Sequence, residues 1–219
     1  MKKIILFGTN DFAELAHYYL ENDSDYKVVA FSVNEEYTEG RKEFNGLPLI
    51  PFEEIETHYP PDDFSFFAPM APTKMNQLRE RTYKQIKDKG YSMISYISSK
   101  ATIFDNEIGD NCFILEDNTI QPFTTIGNNV VMWSGNHIGH HGVIKDNVMF
   151  TSHVVLSGHC IVENNCFLGV NATIRDGITL AEGTLVAMSS SVIKNTKKWS
   201  VYIGNPAKII EGKISNETM

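Results

Sequence analysis

Five of the seven histidines lie within one short stretch: His137, His140, His141, His153 and His159. Imidazole exchanges a proton near neutral pH and also ligates transition metals, so the cluster points to acid–base catalysis or to a metal site. Cys112, Cys160 and Cys166 add the chemistry of a nucleophile, a metal ligand or a disulfide. Which of these side chains faces outward depends on the element that carries them.

That element is a six-residue repeat. From Ile108 an apolar side chain returns at every sixth position, through Ile114, Ile120, Ile126, Met132 and ten further hexads to Val192. With 42% apolar residues in the chain, such a run arises by chance about twice in a million placements. A period of six is neither helical nor simple strand alternation, so each unit is a short strand plus a corner. The predicted structure is a parallel β-helix of a little under five triangular coils, in which residues eighteen apart stack about 4.8 Å along the axis. No long insertion breaks the count, so the wall of any active site must come from a neighbouring chain or from the ends.

Four residues after each apolar position stands a small or apolar side chain, Cys112, Thr124, Val130, Gly142 and Ala172 among them, which suits a second inward site at a tight corner. All three cysteines occupy that inward position and read as core filler. The histidines do not fit inside a coil and must point out of the prism. Stacking places His141 beside His159 on one edge, and His140 above Pro122 and below Gly158.

The first hundred residues read as βαβ units. An apolar strand at 3–7 leads through Gly8-Thr9-Asn10-Asp11 into a helix at 12–20, capped by Asn10 or Asp11. A strand, a glycine turn and a helix N-terminus together offer backbone N–H groups to a phosphate. The fuller glycine fingerprint of a dinucleotide redox cofactor is missing. A second strand at 27–33 ends at Asn34, which either binds a sugar or base at the sheet's carboxyl edge or simply terminates the strand. Further strands are predicted at 64–68 and 92–97. Between them Thr73 caps a helix running to Lys89 and closed by Gly90; Lys74, Asn76 and Arg79 in its first turns are candidate phosphate donors or a solvated face.

The chain has 219 residues, enough for two domains, predicted at 1–100 and 101–219. A net charge of −8 argues against a nucleic-acid partner. The apolar run at 4–7 is too short for a signal peptide or a membrane span, which points to a cytoplasmic protein with no membrane partner. After Val192 the repeat stops, and the segment ending in Gly204-Asn205-Pro206 is expected to cover the open coil end. Lys194, Lys197, Lys198, Lys208 and Lys213 make this end positive.

Taken together, the residues resemble a known family: the left-handed β-helix, hexapeptide-repeat sugar acetyltransferases with an N-terminal nucleotide-sugar-binding domain, of the bacillosamine and perosamine N-acetyltransferase and sialic acid O-acetyltransferase kind. The resemblance spans the chain. It rests on the strand before Gly8, Lys74-Met75-Asn76-Gln77-Leu78-Arg79, Asn136-His137-Ile138-Gly139-His140-His141, Asn165-Cys166-Phe167-Leu168-Gly169 and Gly204-Asn205-Pro206-Ala207-Lys208. It implies a Rossmann-like α/β domain followed by a left-handed parallel β-helix, assembled as a homotrimer. It also implies an acetyl-CoA-dependent N-acetyltransferase that acts on a nucleotide-linked amino-deoxy sugar, such as a 4-amino-4,6-dideoxyhexose, in surface glycan biosynthesis.

Carried over by position, the family's catalytic base falls on His140 and its oxyanion-binding amide on Gly158. His141 stands where many relatives have an acidic residue. Coenzyme A would meet Gly158, Val170, Ala187, Met188, Gly204, Asn205, Pro206 and Lys208. The nucleotide sugar would meet Gly8, Thr9, Asn10, Asn34, Lys74, Asn76 and Arg79. No resident metal is implied. Alternatives are a sialic acid or other sugar O-acetyltransferase, a β-helical zinc carbonic anhydrase, or a non-catalytic β-helix. His137, His153 and His159 also fit plain hydrogen bonding at a subunit seam.

Overall fold

In the computed structural model, which describes residues 2–219, the chain opens with β1 (Lys2–Phe7), whose Ile4, Ile5 and Leu6 are fully buried. There follow α1 (Asp11–Asn22), β2 (Tyr26–Val33), β3 (Glu43–Phe44), β4 (Leu47–Pro51), α2 (Ile55–His58), β5 (Ser65–Phe67), α3 (Gln77–Asp88) and β6 (Ser92–Met93). Their order in the sheet is β3-β4-β2-β1-β5-β6, parallel except for β3 against β4. Strands buried on both faces are what a parallel sheet covered by helices requires. The order reverses between β1 and β5, and at such a switch point the strand ends leave a crevice.

Two local expectations are corrected. Thr73 caps nothing: Lys74, Met75 and Asn76 all have left-handed backbones, with φ of 51°, 53° and 66°, so the right-handed helix starts only at Gln77. Burial holds this unfavourable turn in place. Met75 packs with Leu185 and Val201, and Asn76 donates to the carbonyls of Asn165 and Cys166. The strand expected at 92–97 is two. β6 pairs with β5, whereas Tyr96–Ile97 pairs with Phe113–Ile114 and is the first strand of the prism.

From there two-residue strands stack in parallel with a spacing of eighteen, as the repeat predicts. His137 lies beside Val155, Val143 beside Ile161, and Met149 beside Phe167. They form three faces: the first from Tyr96–Ile97 to Leu185–Val186, the second from Thr102–Ile103 to Ser191–Val192, and the third from Thr125–Ile126 to Thr179–Leu180. The hexad residues from Ile114 to Val192 are buried in one core, with all three cysteines inside it. This is the left-handed parallel β-helix of the expected class.

Most corners place their second residue in the left-handed region, filled mainly by Asn, Asp, Gly and His. The short side chain of Asn tolerates that conformation by bonding locally. At the corner between the third and first faces this produces a ladder. The Asn111 amide donates to Asn129, Asn129 to Asn147, and Asn147 to Asn165. Asn111 also exchanges hydrogen bonds with the Ala68 backbone, and Asn165 donates to Glu80. The ladder therefore ties coil to coil and coils to sheet.

The α/β sheet and the prism share a core: Leu6, Ala16 and Phe31 pack with the outward side chains Phe113, Val131 and Met149 of the first face. Arg79 is fully enclosed at this junction, and its guanidinium donates to the carbonyls of Asn129, Asn147 and Val148 and to the side chain of Asn76. At the far end Trp199 lies against Gly183, where a Cβ would stand 2.3 Å from the indole. Ser200–Ile203 extends the first face over Leu185–Val186, and Lys208–Ile214 returns antiparallel to it. The open coil edge is thereby covered. No helix among the described residues is long and apolar enough to cross a membrane.

Candidate active site

His140 and His141 occupy the corner where the second face meets the third, and both are exposed. Their Nδ1 atoms are 3.0 Å apart, so one ring donates to the other. The His140 backbone N–H is held by the Gln121 side chain. His159, one coil up, stacks on His141 at 5.1 Å between centroids and 20° between planes, and Phe123, one coil down, lies 4.7 Å from His141. In the tautomer in which His140 Nδ1 donates to His141, the Nε2 of His140 carries the lone pair.

Gly158 sits directly above. A Cβ built on it would meet His140 Cε1 at 2.9 Å, His140 Nε2 at 3.1 Å and Asp176 Oδ1 at 3.1 Å, so only glycine leaves the imidazole in place. The Gly158 N–H has no hydrogen-bond partner among the described residues. Gly139 keeps it clear, because a Cβ there would stand 2.5 Å from Gly158 N. A proton acceptor and an unpaired amide donor thus share one corner. That is the pairing that acyl transfer needs for its nucleophile and its oxyanion.

The cysteines supply no nucleophile. Burial pushes the Cys112 thiol up to about 11 and the Cys166 thiol up to about 12, and raises that of Cys160 as well. The thiolate, which is the reactive form, is thereby suppressed at neutral pH.

A concavity of about 580 Å³ opens at the carboxyl ends of β1 and β2. Gly8, Thr9, Asn10 and Asn34 line it. Gly8 has φ of +114°, a conformation that favours glycine, and the Asn10 side chain caps α1 by accepting from Phe12 N–H. Asn34 gives its amide N–H to Glu53, which keeps its carbonyl oxygen available. The cations of the cleft are Arg41, which reaches Thr9 Oγ1 at 3.3 Å, and Arg81. Tyr37, 59% exposed, adds an aromatic face.

Lys74, Asn76 and Arg79 are not in this cleft. Asn76 and Arg79 bind prism carbonyls, and the exposed Lys74 bonds through its backbone to Met219. Starting α3 three residues later than expected turns its cleft face to Leu78, Arg81, Thr82 and Gln85, at i, i+3, i+4 and i+7. Arg41, Arg81 and Tyr37 were therefore missed. Only the true helix start would have exposed Arg81.

Val170 and Met188 stack at a different corner, where the first face meets the second. Gly204-Asn205-Pro206 crosses the end of the second face: Ser191 N–H donates to Gly204 O, and Ala207 N–H donates to Ser191 O. Ala187 and the exposed Lys208 flank this turn. Within one chain these residues are separated from His140 by the breadth of the second face. The α/β sheet covers the first face, opposite His140's corner, so the cleft and the imidazole lie on opposite sides of the prism.

Residues 107–140 match the family model described as bacterial transferase hexapeptide (six repeats). That match covers only part of the coils. Comparison with curated proteins finds no match by sequence. Among solved structures, the hexapeptide β-helix and its sheet together resemble a mutant perosamine N-acetyltransferase from Caulobacter crescentus, solved with CoA and GDP-perosamine. The TM-score is 0.84 at 20% identity, over 96% of this chain and 97% of that one. The acetyltransferase domain of PglB from Neisseria gonorrhoeae gives 0.81 at 17%, over 96% and 100%. WeeI from Acinetobacter baumannii gives 0.80 at 19%, over 96% and 100%. These likenesses establish the architecture of both parts of the chain.

Proposed function

We propose that this protein is an acetyl-CoA-dependent N-acetyltransferase that acylates the amine of a nucleotide-linked amino-deoxy sugar. The observation that carries this reading is the corner itself, where the Cε1–Nε2 edge of His140 lies against Gly158, whose N–H is unpaired among the described residues. A fold shared with proteins named as sugar N-acetyltransferases supports it.

In this mechanism the neutral sugar amine attacks the thioester carbonyl. The new C–N bond forms as the carbonyl oxygen becomes an oxyanion held by Gly158 N–H, and His140 Nε2 takes the amine's proton. The C–S bond then breaks and His140 returns the proton to the departing thiolate. Aligning the two reactants supplies much of the acceleration. His141 takes the orienting role through its Nδ1. It accepts a hydrogen bond but does not neutralise imidazolium as a carboxylate would.

The cleft supplies the nucleotide end. Arg41 and Arg81 suit a diphosphate, the amides at the start of α1 add donors, and Tyr37 offers a stacking surface for the base. Because cleft and corner face opposite ways, the sugar held by one copy is acylated at the histidine of another, in a closed oligomer such as the homotrimer. Coenzyme A lies between prisms, against Gly158, Val170, Ala187, Met188 and the Gly204–Lys208 turn, with Lys208 beside its phosphates.

The test is a panel of nucleotide-linked 3-amino and 4-amino sugars incubated with acetyl-CoA while free thiol is measured. Thiol release that depends on one of these sugars, with an N-acetylated product by mass, is the expected result. Release with sialic acid or another hydroxyl acceptor, and with none of the amino sugars, would overturn it.

A further inference from the structure

His159 has no part in the chemistry above, yet it completes a group. One nitrogen from each of His140, His141 and His159 lies within 4.8 Å of the others, and all three residues are exposed. The rings pack at 5.0–5.1 Å between centroids. Among the described residues no carboxylate pairs with any of them.

We propose that these three imidazoles form, within a single chain, a binding site for a borderline transition-metal cation of the zinc class, and that its occupancy disables His140 as a base. Zinc–imidazole bonds of 2.0–2.1 Å put two tetrahedral donors about 3.4 Å apart. The His140 and His141 Nδ1 atoms, at 3.0 Å, are already near that spacing. Their αL and corner backbones fix where the rings start: φ is 55° at both His141 and His159. The exposed ring of His159 closes the remaining gap by side-chain rotation, and the fourth position stays open to solvent.

The consequence follows from imidazole chemistry. A neutral ring that gives one nitrogen's lone pair to a metal carries its proton on the other. Metal on His140 Nδ1 therefore leaves Nε2 protonated, with no lone pair for the sugar amine, and it also removes the hydrogen bond to His141. The binding claim stands apart from the proposed function; only the inhibition rests on it.

The experiment uses the full chain after chelator treatment and dialysis. Cobalt(II) is titrated in while visible d–d absorption is followed, and zinc(II) then competes it away. The matched variant is His159→Asn, since asparagine fills the same left-handed position at five other corners, Asn111, Asn129, Asn147, Asn165 and Asn171, and keeps the turn. His153→Asn, at another corner, is the control. One cobalt per chain with a tetrahedral-type spectrum is expected, weakened at least ten-fold in His159→Asn and unchanged in His153→Asn. Zinc should then inhibit thiol release by the wild type, and His159→Asn should need at least ten-fold more zinc for the same inhibition. Equal cobalt affinity in wild type and His159→Asn, or only the spectrum of the hydrated ion, would overturn the site. If no sugar supports thiol release while cobalt still binds through His159, the proposed function fails and the metal site stands.

Discussion

Catalysis at the corner turns on which imidazole nitrogen of His140 carries the lone pair. His140 has its Nδ1 committed to His141 and its Nε2 edge turned to Gly158. His140→Ala should lower kcat by roughly 10²–10⁴-fold, the range of a lost general base, while circular dichroism stays unchanged. His141 acts through His140, so its removal should read differently. His141→Gly, which accepts the φ of 55° without strain, should lower kcat about ten-fold and leave the KM for acetyl-CoA unaltered. His141→Glu should restore the rate or exceed it, because a carboxylate stabilises the imidazolium formed in the reaction. A purely structural His141 would instead shift stability in both variants and leave kcat of the folded protein alone.

At the scale of elements, the junction between sheet and prism rests on few side chains, and two of them make measurable predictions. Arg79 is a buried cation satisfied by carbonyl oxygens, and burial pulls its pKa down to about 9 while leaving it charged at neutral pH. Arg79→Ala strands those carbonyls and should cost on the order of 3 kcal/mol in urea unfolding. Asp23, at the end of α1, accepts hydrogen bonds from Ser99 N–H, Tyr96 OH and Ser98 OH at the start of the coils. These bonds, those from Ser99 and Tyr96 foremost, pull its carboxyl down to about 2. Because its folded pKa lies below the unfolded value of about 3.9, its contribution is complete above pH 4 and fades as pH falls towards 2. Asp23→Asn should therefore lose stability relative to wild type at pH 6, with the difference shrinking below pH 4 in thermal melts.

The same elements show what the sequence made legible. The coils were readable because the apolar period of six runs unbroken to Val192, and the inward cysteines followed from it. The Asn111–Asn165 ladder obeys the same eighteen-residue spacing but passed unnoticed, since asparagine carries no hydrophobic signal. Thr73 was misread as a cap because a serine or threonine before an apolar periodicity signals a helix start. The left-handed turn at Lys74–Asn76 that moves the start to Gln77 is held by contacts a hundred residues away, at Asn165 and Leu185. That shift is why Arg79 was expected in the cleft and Arg81 was not.

At the scale of the whole molecule, the prism separates the two halves of the proposed reaction. The cleft with Arg41 and Arg81 belongs to the sheet on the first face, and His140 stands at the opposite corner. Val143 and Ile161, on the third face beside that corner, and Val155 on the second are partly exposed, an apolar margin suited to contact with another copy. One measurement tests this arrangement most directly: co-expression of His140→Ala with Arg81→Glu, each inactive alone, followed by purification of the mixed oligomers and assay of thiol release. In each mixed trimer one of the three junctions joins an intact histidine on one copy to an intact cleft on the next, which should restore about a third of wild-type activity. Mixed oligomers no more active than either parent would contradict the account, because cleft and histidine would then have to serve each other within one chain.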